Sequence, residues 1–172
     1  TTHYPSAYEE DRTKGTHPIR QNLSNLKDAG SLYGNIIYNK APIMMRQLEA
    51  TMGKEAFQKG IQRYIHKYAN SNADWENLVE IFDKETPHNM KMWSDVWVNQ
   101  SGRAFFTDQI DYDHLGAIKS FTVCQQAEDG SQNVWPQIFE IGLVYADTTK
   151  IIKVNVNGRT TEVKDAIGLS KP

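Results

Sequence analysis

The sequence predicts an α+β protein, a helical bundle followed by an antiparallel β-sandwich. Two observations carry that reading. Between residues 41 and 100 apolar side chains recur at three- and four-residue steps, the spacing of one helix face. Past Gly102 the period falls to two, and Asn157-Gly158 stands between two alternating runs. The change of period divides the chain into a helical part, residues 1–101, and a β part, residues 102–172. With 172 residues, 39% of them hydrophobic, the chain can bury a core without disulfides or metal.

The elements follow in order. Residues 1–34 show little periodicity, and Gly15, Gly30 and Gly34 among scattered Ser, Asn and Asp predict irregular structure with at most a short helical turn. Ala41-Pro42 puts a proline where a helix tolerates it, in the first turn; Met45, Leu48 and Met52 follow until Gly53 interrupts. Phe57, Ile61, Tyr64, Ile65 and Tyr68 make a second apolar stripe. Ser71-x-x-Asp74 reads as a capping box opening a third helix, with Trp75, Leu78, Val79 and Phe82 on one face. Thr86-Pro87 reads as the N-cap and first turn of a fourth, which carries Met90, Trp93 and Trp97 and ends at Ser101-Gly102. In the β part Phe121 and Val123 alternate with polar neighbours, and Phe139, Ile141, Leu143 and Tyr145 form a further alternating set, with a loop around Glu128-Asp129-Gly130-Ser131 before it. Ile152, Val154 and Val156 lead into Asn157-Gly158 and then Arg159-Thr160-Thr161-Glu162-Val163, which predicts a hairpin. Cys124, beside Phe121 and Val123, reads as a small buried hydrophobe.

Several function classes are disfavoured by composition. Nineteen basic against twenty-one acidic side chains argue against a nucleic-acid partner, which calls for a basic excess. A mean hydropathy of −0.62 and the lack of any long apolar run predict no membrane span. One cysteine excludes an internal disulfide and a multi-cysteine metal site. His3, His17, His66, His88 and His114 are dispersed and no H-E-x-x-H occurs, so no metal ligands are predicted within the chain. There is no G-x-S-x-G elbow and no Gly-rich phosphate loop. The opening Thr1-Thr2-His3-Tyr4-Pro5 has neither an initiator Met nor a signal-peptide pattern, and the chain is expected to be a piece of a longer one.

One stretch carries more specific information. Thr16-His17-Pro18-Ile19 is followed by Tyr33-Gly34-Asn35-Ile36-Ile37-Tyr38-Asn39-Lys40-Ala41, with two tyrosines five residues apart and a lysine two beyond. Downstream come Leu48-Glu49-Ala50-Thr51-Met52-Gly53, then Phe57, Gly60, Tyr64 and Tyr68, Asn72-Ala73-Asp74-Trp75, and Met92-Trp93. Together these resemble the gluzincin zinc aminopeptidases, the aminopeptidase N and leukotriene-hydrolase type, whose T-H-P stretch precedes Y-x-x-x-x-Y-x-K-G. Val134-Trp135-Pro136 and Tyr145-Ala146-Asp147 are similar to strands of that family's following β-sandwich. The chain departs from the pattern at Ala41, where the family has Gly, with Pro42 next. It also lacks the family's H-E-x-x-H zinc site, which lies upstream in family order.

The resemblance implies that residues 1–101 are the C-terminal part of a thermolysin-like catalytic domain and residues 102–172 a truncated β-sandwich domain. It implies a parent enzyme that uses zinc to hydrolyse N-terminal residues from peptide substrates, with no zinc expected in this piece and no activity expected from it alone. Tyr38 matches the family tyrosine that donates to the oxyanion, a catalytic role suited to a phenol that keeps its proton at neutral pH. Tyr33 matches a second tyrosine lining the same pocket, a substrate-binding position. Lys40 is expected to be a supporting or surface cation. A periplasmic or secreted parent is favoured by the habits of relatives. The alternative is a peptidase-like scaffold or protein-interaction module that has lost the zinc motif.

Overall fold

The computed structural model describes residues 3–172. The fold is α+β, with helices preceding antiparallel strands, and the chain forms two compact units, Thr1–Arg103 and Ala104–Pro172.

The first unit opens with a helix that the sequence pattern conceals, α1 (His3–Asp11). Its buried face carries Ala7 and Asp11, four residues apart, so one of the two inward positions is a carboxylate and no apolar stripe is visible. A 3-10 segment, Leu26–Leu32, is capped by Asn25, whose side chain accepts from the Lys27 N–H. The next helix starts a turn earlier than Ala41-Pro42 suggests. Ile36–Lys40 form a π-helical turn that continues into α2 (Ala41–Met52), and the Ala41 N–H donates to the Ile36 carbonyl. The wider turn accommodates the missing N–H of Pro42 and its ring against the carbonyl four residues back.

Gly53, at φ 82°, closes α2, and α3 (Lys54–Lys67) follows at once. The stripe of α3 is only half-buried, with Ile65 exposed; the buried residue is Gly60, where α4 (Trp75–Glu85) makes its close approach. The capping box of α4 pairs Asp74 with Asn77 and not with Ser71: the Asp74 carboxylate accepts from the Asn77 N–H at 2.9 Å, and the Asn77 side chain accepts from the Asp74 N–H at 3.1 Å. Thr86 closes α4 instead of opening the next helix. The N-cap of α5 (Met90–Ser94) is Asn89, and the Asp83 carboxylate accepts from the Met90 N–H at 2.8 Å. A second π turn, Asp95–Asn99, buries Trp97, which stacks on Trp93 with centroids 5.8 Å apart.

The second unit holds two antiparallel sheets. One has the order β1 (Ala104–Tyr112), β2 (Ile118–Ala127), β5 (Thr160–Glu162); the other pairs β3 (Gln137–Val144) with β4 (Thr149–Val156). Ile118, Phe121 and Val123 from one sheet and Leu143, Ile152, Val154 and Val156 from the other share a single core. The edge strand β1 is at most half-buried, and Asp108 interrupts its inward set of Ala104, Phe106, Ile110 and Tyr112, which is why the sequence pattern does not announce it. Cys124 points to the opposite side of β2 from Phe121 and Val123 and is half-buried, its Sγ 3.9 Å from the Thr160 hydroxyl.

The predicted hairpin at Asn157-Gly158 does not form. β5 pairs with β2, Val123 opposite Thr161, and the corner carries the chain from one sheet to the other. Neither Asn157 nor Gly158 adopts the positive φ that a two-residue hairpin turn demands. Gln125, buried in β2, explains the preference. Its amide donates to the Gly158 carbonyl at 3.0 Å, its side-chain oxygen accepts from the Trp135 N–H at 3.1 Å, and its own N–H donates to the Arg159 carbonyl at 2.8 Å. A buried amide satisfied in this way outweighs the local turn preference of Asn-Gly.

Candidate active site

The Ile36–Lys40 turn sorts its side chains by helical geometry. Ile36 and Lys40, four residues apart, face inward and are 0% and 1% exposed; Tyr38, midway between them, faces outward and is 60% exposed. Tyr33, at the end of the 3-10 segment, is 65% exposed, and its ring centroid lies 5.9 Å from that of Tyr38 at an interplanar angle of 38°. The two tyrosines therefore present neighbouring phenols on one surface. The Tyr38 N–H donates to the Gly34 carbonyl at 3.0 Å, and Asn39 donates to the Asn35 side chain at 2.7 Å, so the turn is tied back to the two residues that precede it.

Beneath that surface is a charge that sequence reasoning assigned to a supporting or solvated role without a partner. Lys40 Nζ lies 3.0 Å and 2.8 Å from the two carboxylate oxygens of Asp11 and donates to the Gly102 carbonyl at 2.7 Å. Both side chains of the pair are buried, and Thr16 adds a hydroxyl donor to Asp11 at 2.9 Å. Burial lowers the Lys40 pKa from its ordinary value, against the opposing pull of Asp11. Asp11 is the residue the sequence pattern missed, since a lone acidic residue in an aperiodic segment carries no signal of its own. Of the T-H-P stretch, His17 Nδ1 lies 2.9 Å from the Pro18 carbonyl, and the Pro18 carbonyl also accepts from Gln21; neither contact reaches Tyr38.

Among the described residues no three His, Cys, Asp or Glu side chains gather into a group that could hold a metal. None of those helices is long and apolar enough to cross a membrane. The chemistry available on this surface is hydrogen-bond donation from phenol hydroxyls held on a helical turn and open to solvent.

Residues 1–97 match the Peptidase family M1 domain, and the chain belongs to that family, whose aminopeptidases are zinc metallopeptidases. Over 96% of its length it is similar to Aminopeptidase N of Streptomyces lividans, 29% identical and covering 21% of that protein. It is also similar over 88% of its length to Leucyl aminopeptidase of Saccharolobus solfataricus, 25% identical, and to Probable aminopeptidase 1 of Sulfurisphaera tokodaii, 24% identical, covering 21% of each. The chain thus spans about a fifth of the length of these relatives.

Proposed function

We propose that this chain supplies one wall of the active-site cleft of a zinc aminopeptidase, with Tyr38 as the donor to the oxyanion that forms when the first peptide bond of a substrate is attacked. The observation that carries the reading is the outward placement of the Tyr38 side chain on the Ile36–Lys40 turn, whose Tyr38 N–H is bonded to the Gly34 carbonyl, on a chain of the M1 family. Tetrahedral intermediates of acyl transfer place negative charge on the former carbonyl oxygen, and a fixed donor there lowers the barrier. Tyr33, adjacent to Tyr38, lines the same surface and orients the bound peptide. Zinc, which the family implies, has no ligand set among the described residues. By the same reading the 172 residues alone do not turn over peptides.

In the full-length protein, Tyr38→Phe removes the donor and keeps the ring. The expected result is a fall in kcat of about 10²–10³ with little change in KM for an aminoacyl anilide. An unchanged kcat would remove Tyr38 from the chemistry.

A further inference from the structure

We infer that the buried Asp11–Lys40 pair is a positioning device for Tyr38, a role that rests on the proposed oxyanion function of that tyrosine. The geometry is specific. Lys40 and Ile36 occupy the inner face of the turn whose outer face carries Tyr38, and α1 packs directly against this turn. The Lys40 ammonium has two hydrogen-bond acceptors in place, Asp11 Oδ1 and the Gly102 carbonyl, with Asp11 Oδ2 at ion-pair distance, 2.8 Å. One of these two acceptors comes from α1, and the other from Gly102 near the end of the helical unit, 62 positions away in sequence. A single cation therefore fixes the turn to two distant parts of the chain.

An ion pair this deeply buried is costly to desolvate and is a weak stabiliser against an apolar alternative. It differs from an apolar contact in being directional. Rotation of the turn about its axis separates Lys40 from its acceptors, whereas methionine or leucine in the same space would tolerate it. Because Tyr38 lies two residues away on the same turn, the angle that satisfies Lys40 also sets the direction of the phenol. Misplacement of a reacting group by about 1 Å can cost about a hundredfold in rate, so directional anchoring is worth more here than net stability. The π-helical geometry adds to the need, since Ile36–Lys40 and Pro42 leave the i to i−4 ladder of the helix incomplete at this point.

The test uses the full-length, zinc-loaded protein: the fluorine resonance of fluorotyrosine at position 38 is read with and without Lys40→Met, and kcat is read in separate samples for Lys40→Met alone and together with Tyr38→Phe. Lys40→Met should broaden or shift the fluorine resonance at position 38, and lower kcat about tenfold or more with KM within about twofold. In the Tyr38→Phe background the same substitution should lower kcat no further, because its effect is exerted through the missing hydroxyl. An unmoved resonance overturns the positioning role, and so does an equal loss of kcat with and without the Tyr38 hydroxyl, which marks a purely structural part. A moved resonance together with full activity of Tyr38→Phe would instead retain the anchoring and remove the oxyanion assignment. Should Lys40→Met alone fail to fold, the pair Asp11→Asn with Lys40→Met, which leaves no lone charge buried, is read by the same criteria.

Discussion

Tyr8 and Tyr38 show how the same side chain is set to different chemistry by its surroundings. Tyr38 is open to solvent, as the donor role proposed for it requires. Tyr8, on α1, is largely enclosed, stands edge-on to Tyr4 at 5.7 Å and lies under the Arg103 guanidinium at 5.0 Å. Burial, helped by Tyr4 and opposed by Arg103, pushes its pKa up to about 12. A phenol whose pKa is raised by folding is proton-bound in the native state when the unfolded chain would already have released its proton. Its contribution to stability is therefore complete below pH 10 and is lost as the pH rises towards 12. Ultraviolet titration of native protein should show a tyrosinate step near pH 12 that Tyr8→Phe abolishes; retention of that step in the variant would assign it elsewhere. At this scale the sequence carries identity better than environment. The spacing of Tyr33, Tyr38 and Lys40 marks the site, but Asp11, Thr16 and Gly102, which meet Lys40 or its partner, come from separate stretches with no shared pattern.

Helix pairing turns on a small residue. A Cβ at Gly60 would fall 2.4 Å from Phe82 Cδ1 and 2.6 Å from Cε1. Phe82 is fully buried and stacks on Phe57 at a centroid distance of 5.4 Å, so it has no free space into which to retreat. Gly60→Ala gains about 1 kcal/mol in helix propensity and loses about 1–3 kcal/mol through overpacking, and the geometry favours the loss. A urea unfolding curve with a lower midpoint and unchanged slope is the expected outcome; a higher midpoint would show that α3 can move away from α4 without penalty. Beside this contact Glu85, its side chain 4% exposed, receives Lys59 at 3.3 Å and also pairs with Arg63, joining α4 to α3 a second time. Periodicity revealed the existence of α2, α3 and α4 because each has an apolar face. It concealed α1, whose inward positions include a carboxylate, and it misplaced the starts of the last two helices. There the capping partner depends on which side chain reaches a backbone N–H, as Asn77 and Asn89 do.

At the scale of the whole molecule, the change of period near Gly102 is legible because helices and strands bury side chains at different intervals, while the partnership of the strands is not. Local turn chemistry favours β4 with β5; the tertiary requirement of buried Gln125 places β5 against β2. That crossover has a consequence for the order in which the β unit assembles. β1 with β2 and β3 with β4 are hairpins whose ends are near in sequence, as Tyr112 opposite Ile118 and Val144 opposite Thr149 illustrate. β5 must find Thr122 from position 162, and such long-range closure is slow relative to local pairing. The three-residue β5 thus acts as a latch that engages after both hairpins exist. In pulsed hydrogen exchange during refolding, the amides of Val163 and Gln125, which bond across this junction, should gain protection after those within β1 and β3; simultaneous protection would exclude the sequence. Until the latch closes, the inner faces of two separate hairpins, with Phe121, Val123, Ile152 and Val154, stand open to one another and to any other chain, so the interval before β5 docks is the period in which this half of the molecule is most exposed to aggregation.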